Sequence, residues 1–252
     1  MFFGINRKKR VYFMDNPNCL AVIMDGNRRW AIKNGLSIFD GHKQGVKSIK
    51  KIIKLSIEKN INNLVLYAFS TENWSRPAKE VSGLLKLFEW YLKSEIAELN
   101  NQNIRLRFIG EKSVFSSKIV NIMNYSQELT KKNTKLNLYI AVNYGGKNDL
   151  LYSFQKALKE IKNKNFLDKD INFETIRSNL LSKEVPDVDL LIRTSGEKRL
   201  SNFLLWQLAY SELYFTDVLW PDFNENEMQK ALDFYYLRDR RFGSSNIKTK
   251  TI

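Results

Sequence analysis

Six segments of this chain carry the pattern of short strands. They are residues 21–24, 64–69, 104–109, 136–142, 188–192 and 213–215, three of them unbroken apolar runs and the others largely apolar, closed by polar residues or glycine. Runs of this length and bounding suit strands buried on both faces. The stretches between them have helical spacing. In residues 41–60, Val46, Ile49, Ile52, Ile53 and Ile57 fall on one side with lysines opposite. From Val81, the residues Leu84, Leu85, Phe88, Tyr91, Leu92, Ile96 and Leu99 give a long helix an unusually wide apolar face. Such a face reads either as ordinary core packing or as one wall of an apolar ligand cavity. Helices are also expected over residues 113–132, 148–164, 173–181, 203–209 and 225–241. In the second of these, Leu150, Leu151, Phe154, Leu158 and Ile161 lie on one side.

Strands alternating with helices of this length imply βαβ crossovers. The expected fold is α/β, a single domain with a mainly parallel six-stranded sheet flanked by helices. Between residues 18 and 243 there is no Pro/Gly-rich linker, repeat or low-complexity block. The domain is therefore assigned to residues 18–243. Residues 1–17 read as a flexible basic arm ending at Pro17, and residues 244–252 as a C-terminal tail. Ligands in such sheets gather at the carboxyl ends of the strands.

Composition narrows the choice of partner. The chain has 252 residues, 43% of them hydrophobic, with 41 Lys+Arg against 27 Asp+Glu and a net charge of +14. That balance favours an anion: nucleic acid, a phosphorylated small molecule or an anionic membrane surface. A single cysteine, Cys19, and a single histidine, His42, exclude an internal disulfide, a cysteine cage and a multi-histidine metal site. Cys19 reads as an inert buried thiol. The apolar run after the basic cluster Arg7–Arg10 is too short for a signal peptide. No run approaches the roughly 18–20 apolar residues of a membrane span. The expected location is the cytoplasm.

The residues that follow the strands are rich in chemistry. Asp25, Gly26, Asn27, Arg28, Arg29 and Trp30 follow the first, and Ser70, Thr71, Glu72, Asn73, Trp74, Ser75 and Arg76 the second. The fifth delivers Arg193 to Ser201, and Glu212 lies immediately before the last. Guanidinium forks bind phosphate oxygens bidentately, and a carboxylate can hold magnesium bridging a diphosphate. Glu72 and Glu212 can equally serve as ion-pair partners of the arginines. His42 can be a plain helix-start residue, and Trp74 and Trp206 plain core aromatics. No Walker-type loop, G-x-G-x-x-G or D-D-x-x-D motif is present.

The segments Met24-Asp25-Gly26-Asn27-Arg28-Arg29-Trp30, Gly41-His42, Tyr67-Ala68-Phe69-Ser70-Thr71-Glu72-Asn73-Trp74-Ser75-Arg76-Pro77, Asn143-Tyr144-Gly145-Gly146, Asp189 to Glu197, Arg199 to Gln207, and Glu212 to Phe215 through Trp220-Pro221 resemble the cis-prenyltransferases. The resemblance runs from about residue 19 to residue 243. It implies an enzyme that adds isopentenyl diphosphate units to an allylic diphosphate, usually farnesyl diphosphate, with cis stereochemistry, giving a polyprenyl diphosphate of undecaprenyl length. It also implies Mg2+ dependence, a homodimer and a hydrophobic tunnel for the growing chain. By the same resemblance, Asp25 is the catalytic carboxylate that engages magnesium, with Glu212 completing the metal site. Gly26, Asn27, Arg28 and Arg29 cradle the primer's diphosphate, with Trp30 and His42 beside it. Asn73 assists removal of the proton from the condensing unit. Ser70, Thr71, Glu72, Trp74 and Arg76 surround the substrates, while Arg193, Arg199, Leu200 and Ser201 bind isopentenyl diphosphate.

The wide face from Val81 to Leu99 is the candidate tunnel wall, and Leu136 the candidate floor that limits product length. One departure stands out: Ile38 lies where bacterial members usually carry a primer-binding arginine. Its absence removes a charge-assisted contact of roughly 1.5–3 kcal/mol, for which Lys33, Lys43 or Arg28 could compensate. Arg241-Phe242-Gly243 matches the family's tail motif that reaches the neighbouring subunit.

Two other classes are weighed. A noncatalytic subunit of such an enzyme has no need of Asp25, Asn73, Arg193, Arg199 and Glu212. A nucleic-acid module is suggested by charge alone and has no motif, so no nucleic-acid partner is expected. The basic arm leaves room for a peripheral membrane contact at product release.

Overall fold

The computed structural model describes residues 15–162 and 171–238. The expected N-terminal arm and C-terminal tail, with Arg241-Phe242-Gly243, lie largely outside them. Six strands, β1 (Cys19–Ile23), β2 (Asn63–Ser70), β3 (Ile104–Ile109), β4 (Leu136–Tyr144), β5 (Leu190–Arg193) and β6 (Glu212–Phe215), form one sheet. Its order is β3-β4-β2-β1-β5-β6 and every pairing is parallel. The helices are α1 (Asn27–Lys33), α2 (Ile38–Glu58), α3 (Ala78–Asn101), α4 (Ser117–Thr130), α5 (Gly146–Lys162), α6 (Phe173–Asn179) and α7 (Glu225–Tyr236).

The central strand explains the unbroken apolar runs. In β1, Leu20 and Val22 point into one core with Ile52, Leu64, Leu66, Leu92 and Leu232, while Cys19, Ala21 and Ile23 point into a second with Val65, Leu191 and Phe203. A strand covered on both sides has no place for polar alternation. Strand positions match the sequence expectation to within two or three residues.

Three expectations are corrected. The segment after Asp25, to which no helix was assigned, is the helix α1. Residues 203–209, expected to be helical, form turns instead. Ser201, Asn202 and Leu204 have φ of 48°, 61° and 40°, and residues in the left-handed region cannot feed a right-handed helix. Glu212 is the third. It pairs with Leu190 while Phe215 pairs with Arg193, so Glu212 opens its strand. In a parallel sheet that places it at the amino edge, opposite to the edge that carries Asp25.

α5 also inverts its expected packing. Its buried face is Gly146, Asp149, Ser153 and Ala157. Leu151, Phe154 and Leu158 of its apolar stripe are exposed.

Candidate active site

The site forms where β1, β2 and β5 end together. The chain leaves β1 through Met24 and Asp25 and enters α1 at Gly26, whose φ is 106°. A Cβ there would lie 2.9 Å from Leu219 Cδ2 and 3.0 Å from Ser195 Cβ, so glycine lets three loops close on one point. The backbone oxygen of Asp25 accepts from Thr194 Oγ1 at 2.7 Å and from the Trp220 amide at 3.0 Å. The carboxylate is thereby held at the sheet edge before any side-chain contact is counted.

Arginines converge on that carboxylate. Arg193 Nη2 lies 3.0 Å from Asp25 Oδ2 and Arg29 Nη2 3.6 Å from the same oxygen. The Arg193 side chain is 4% exposed. Its Nη1 donates to Ser201 Oγ at 2.7 Å and to the Arg199 carbonyl. Arg29 also reaches the Ser195 carbonyl at 2.9 Å and Glu197 at 3.4 Å, and Glu197 in turn pairs with Arg199. Arg199 and Arg28 keep 60% and 63% of their side chains exposed, so each is accessible to an anion although it faces Glu197 or Glu80.

The loop after β2 is a 3-10 turn, Thr71–Ser75, locked by a capping box between Ser70 and Asn73. Asn73 Oδ1 accepts from the Ser70 amide at 3.2 Å. Glu72 Oε1 accepts from Asn202 Nδ2 at 2.9 Å. Partial burial pushes the Glu72 carboxyl up, but bonds from Asn202, its own backbone, Ser70 and Thr71 outweigh this and leave it below its ordinary range. Across the mouth, Glu80 at the start of α3 pairs with Arg76 at 3.2 Å and lies 4.0 Å from Arg28. His42 is half-buried, and its Nε2 atom is buried with no hydrogen-bond partner. Burial, and next the neighbouring Arg76, lower its pKa to about 4 against a smaller upward pull from Glu80. It is neutral at pH 7.

These groups rim a cavity of about 760 Å³ between the sheet and α2 and α3. Asp25, Gly26, Asn27, Arg28, Arg29, His42, Ser70, Glu72, Asn73, Arg76, Arg193, Arg199 and Ser201 all line it. Below them the lining turns apolar. α3 contributes Leu84, Leu85, Leu87, Phe88, Tyr91, Leu92 and Leu99, and the sheet contributes Leu66, Leu106, Leu138, Ile140 and Val142. The wide face of α3 is thus both core and cavity wall.

Several expected site residues stand apart from the lining. Trp30 donates its indole N–H to Asp222 at 2.7 Å. Trp74 donates to Asn143 at 2.8 Å and packs on Phe69 and Phe115. Thr71 Oγ1 faces Gly145, and Leu200 packs on the second core. Trp206, read as a plain core aromatic, is half-buried against Phe173. Leu136 is one step below the lining: it pairs with Ile104 as Leu138 pairs with Leu106. Glu212, at the opposite sheet edge, lies 3.5 Å from Arg238 and not near Asp25. A metal pair of Asp25 and Glu212 within one chain is excluded by the topology.

Sequence reasoning passed over Thr194, Glu197, Asn202 and Glu80. Thr194 and Glu197 stand inside the Arg193-to-Ser201 segment, where the arginines drew attention. Glu80 went unassigned because the helix was read from its first apolar residue, Val81.

A metal at this site would have a sparse protein shell. Among the described residues, no group of three or more His, Cys, Asp or Glu is placed to hold an ion. The donor set is the Asp25 carboxylate. That suits magnesium, which is commonly bound by one or two carboxylates together with substrate phosphates and water.

Residues 23–243 match the family model described as putative undecaprenyl diphosphate synthase. A ditrans,polycis-undecaprenyl-diphosphate synthase ((2E,6E)-farnesyl-diphosphate specific) of Buchnera aphidicola subsp. Schizaphis graminum is 49% identical over 245 residues, covering 97% of this chain and 98% of its own. The enzyme of the same name from Escherichia coli (strain K12) is 47% identical over 226 residues, 90% of this chain and 89% of its own. Among solved structures, lavandulyl diphosphate synthase from Lavandula x intermedia, in complex with dimethylallyl diphosphate, superposes with a TM-score of 0.88 at 36% identity, covering 90% of this chain and 98% of its own. A probable undecaprenyl diphosphate synthase from Campylobacter jejuni gives 0.76 at 35% identity, covering 91% and 100%.

Proposed function

The chain belongs to the undecaprenyl diphosphate synthase family of cis-prenyltransferases, and from that premise we propose that it condenses isopentenyl diphosphate onto farnesyl diphosphate, repeatedly and with cis geometry. The observation that carries this reading is one cavity with two chemistries. A rim of arginines around Asp25 suits two diphosphates, and an apolar interior suits a prenyl chain. A subunit that only supported a catalytic partner would need neither.

In this reading the primer's diphosphate rests on Gly26, Asn27, Arg28 and Arg29, with His42 beside it. Isopentenyl diphosphate is held by Arg193, Arg199 and Ser201. The primer's C1–O bond breaks and its electrons leave with the diphosphate. C4 of the incoming unit bonds to C1, and the proton lost from C2 passes to an oxygen of the released diphosphate, with Asn73 assisting its removal. Preorganised guanidinium groups stabilise the charge that builds on the leaving group. Asp25, fixed through its backbone by Thr194 and Trp220, is the residue that would hold magnesium, which when bound would supply positive charge to neutralise that diphosphate. The neutral His42 can donate to a phosphate oxygen without the cost of burying a second charge. Leu84, Phe88 and Leu92 keep water from the cationic centre. The enzyme acts from the cytoplasm, with a peripheral membrane contact at product release.

The exposed stripe of Leu151, Phe154 and Leu158 on α5, with Phe173 on α6, suits a homodimer contact. The test of the function is incorporation of labelled isopentenyl diphosphate with farnesyl diphosphate, with and without magnesium. A magnesium-dependent ladder ending at undecaprenyl length is expected. No incorporation by folded protein with any allylic primer would reject the reading in favour of a noncatalytic subunit.

A further inference from the structure

One side of the cavity mouth breaks the surface pattern of the molecule. Ile32 at the end of α1, Leu36 in the following turn and Phe39 at the start of α2 are 66%, 48% and 47% exposed. This is not a loose loop. The Leu36 amide bonds to the Ala31 carbonyl at 2.9 Å, the Gly35 amide to Ile32 at 3.1 Å, and Ser37 caps α2 by accepting from the Asp40 amide. The backbone is satisfied within the turn, and the apolar side chains remain outside it.

Phe39 leans towards Gly83 of α3, whose added Cβ would lie 3.9 Å from the ring. Gly83 belongs to an outer stripe with Lys79, Lys86 and Trp90, at helical spacings of three and four residues. Trp90 is 51% exposed. The inner side of the same helix carries Glu80 and Leu84 at the mouth. The apolar turn and the outer stripe of α3 therefore flank the opening. Exposed Lys33, Lys43, Lys79 and Lys86 surround them, and none of these four takes part in an ion pair among the described residues. The nearby acids are engaged: Asp40 takes the Ser37 hydroxyl at 2.6 Å, and Glu80 faces Arg76 and Arg28.

Apolar and aromatic tips among unpaired lysines are what an anionic bilayer surface attracts. The tips enter the acyl boundary and the ammonium groups meet lipid phosphates. We infer that this face, the turn of residues 32–39 with the outer stripe of α3, docks the molecule on an anionic membrane with the cavity mouth turned towards the lipid. Its use rests on the proposed function, since a long prenyl product leaving the mouth would pass directly into the bilayer. The docking itself needs no substrate, so it is tested apart from that function.

The experiment is co-sedimentation of the full chain with vesicles of phosphatidylglycerol and phosphatidylcholine, and with phosphatidylcholine alone. Binding to the mixed vesicles is expected, at least about tenfold stronger than to the neutral ones. The double variant Leu36→Ser/Phe39→Ser should bind the mixed vesicles about tenfold more weakly, with its melting temperature and its turnover in detergent unchanged. Absence of binding by the parent protein would overturn the inference. So would undiminished binding by the double variant, which would put the contact elsewhere, for instance on residues 1–17. A change of oligomeric state in the double variant, with vesicle binding retained, would assign the turn to a protein contact and overturn it as well.

Discussion

Asn202 ties three strand-end loops together. Its side chain donates to Glu72 at 2.9 Å and accepts from the Lys147 amide at 2.8 Å, while its carbonyl accepts from the Gly146 amide at 2.6 Å. It does this from a left-handed φ of 61°, a conformation asparagine tolerates better than most residues. Being next to Ser201, it positions the loop assigned to isopentenyl diphosphate. Asn202→Gly keeps the backbone but removes the amide, and should raise KM for isopentenyl diphosphate about tenfold or more, the scale of one hydrogen bond to a charged group. The dissociation constant of farnesyl diphosphate should not change; an equal loss for both substrates would reduce Asn202 to a general structural role.

His42 makes a second residue-scale prediction. Its pKa is about 4 in the folded chain against 6.5 in the unfolded one. The unfolded state therefore binds more protons between those values. Stability is lost as pH falls from about 6.5 towards 4, by at most roughly 3 kcal/mol from this group. His42→Gln should flatten that part of the profile of melting temperature against pH. An unaltered acid slope would mean that other groups set it. At the same scale, Ile38 sits between Leu36 and Phe39 and so belongs to the apolar turn beside α1.

Among the elements, α3 and β4 set the size of the cavity. Leu106 and Leu138 line its lower part, and Ile104 and Leu136 form the next layer beneath. Leu136 is 1% exposed, so Leu136→Ala opens space below the lining. The expected outcome is a longer product ladder together with a stability loss of about 2–5 kcal/mol, typical for a leucine removed from a core. An unchanged ladder in a folded variant would show that the cavity ends above this layer. The periodicity of α3 was plain in the sequence, yet it could not separate wall from core, because a cavity between a helix and a sheet is lined by the same leucines that would otherwise fill it.

For the whole molecule, the inverted packing of α5 has a consequence for assembly. A helix that buries Asp149 and Ser153 and exposes Leu151, Phe154 and Leu158 leaves apolar area for a partner. Asp149 is kept inside by Tyr144, Ser182 and the Leu181 amide, whose bonds offset part of its desolvation. Light scattering should find the full chain as a dimer, and Phe154→Lys should shift it towards monomer; a monomeric parent protein would refute the assignment.

The sequence by itself determined the six strands, their parallel arrangement and the cluster of Asp25, Arg29, Asn73 and Arg193 at one sheet edge. These follow from local pattern: doubly covered strands must be apolar throughout, and βαβ connections bring strand ends to the same side. Tertiary structure alone decided that Glu212 lies at the opposite edge, since a residue beside a strand has no side until the strand's direction is known. It also decided that residues 203–209 turn and that the apolar stripe of α5 faces outward. Hydrophobic spacing records which residues share a face. What covers that face depends on contacts between elements distant in the chain.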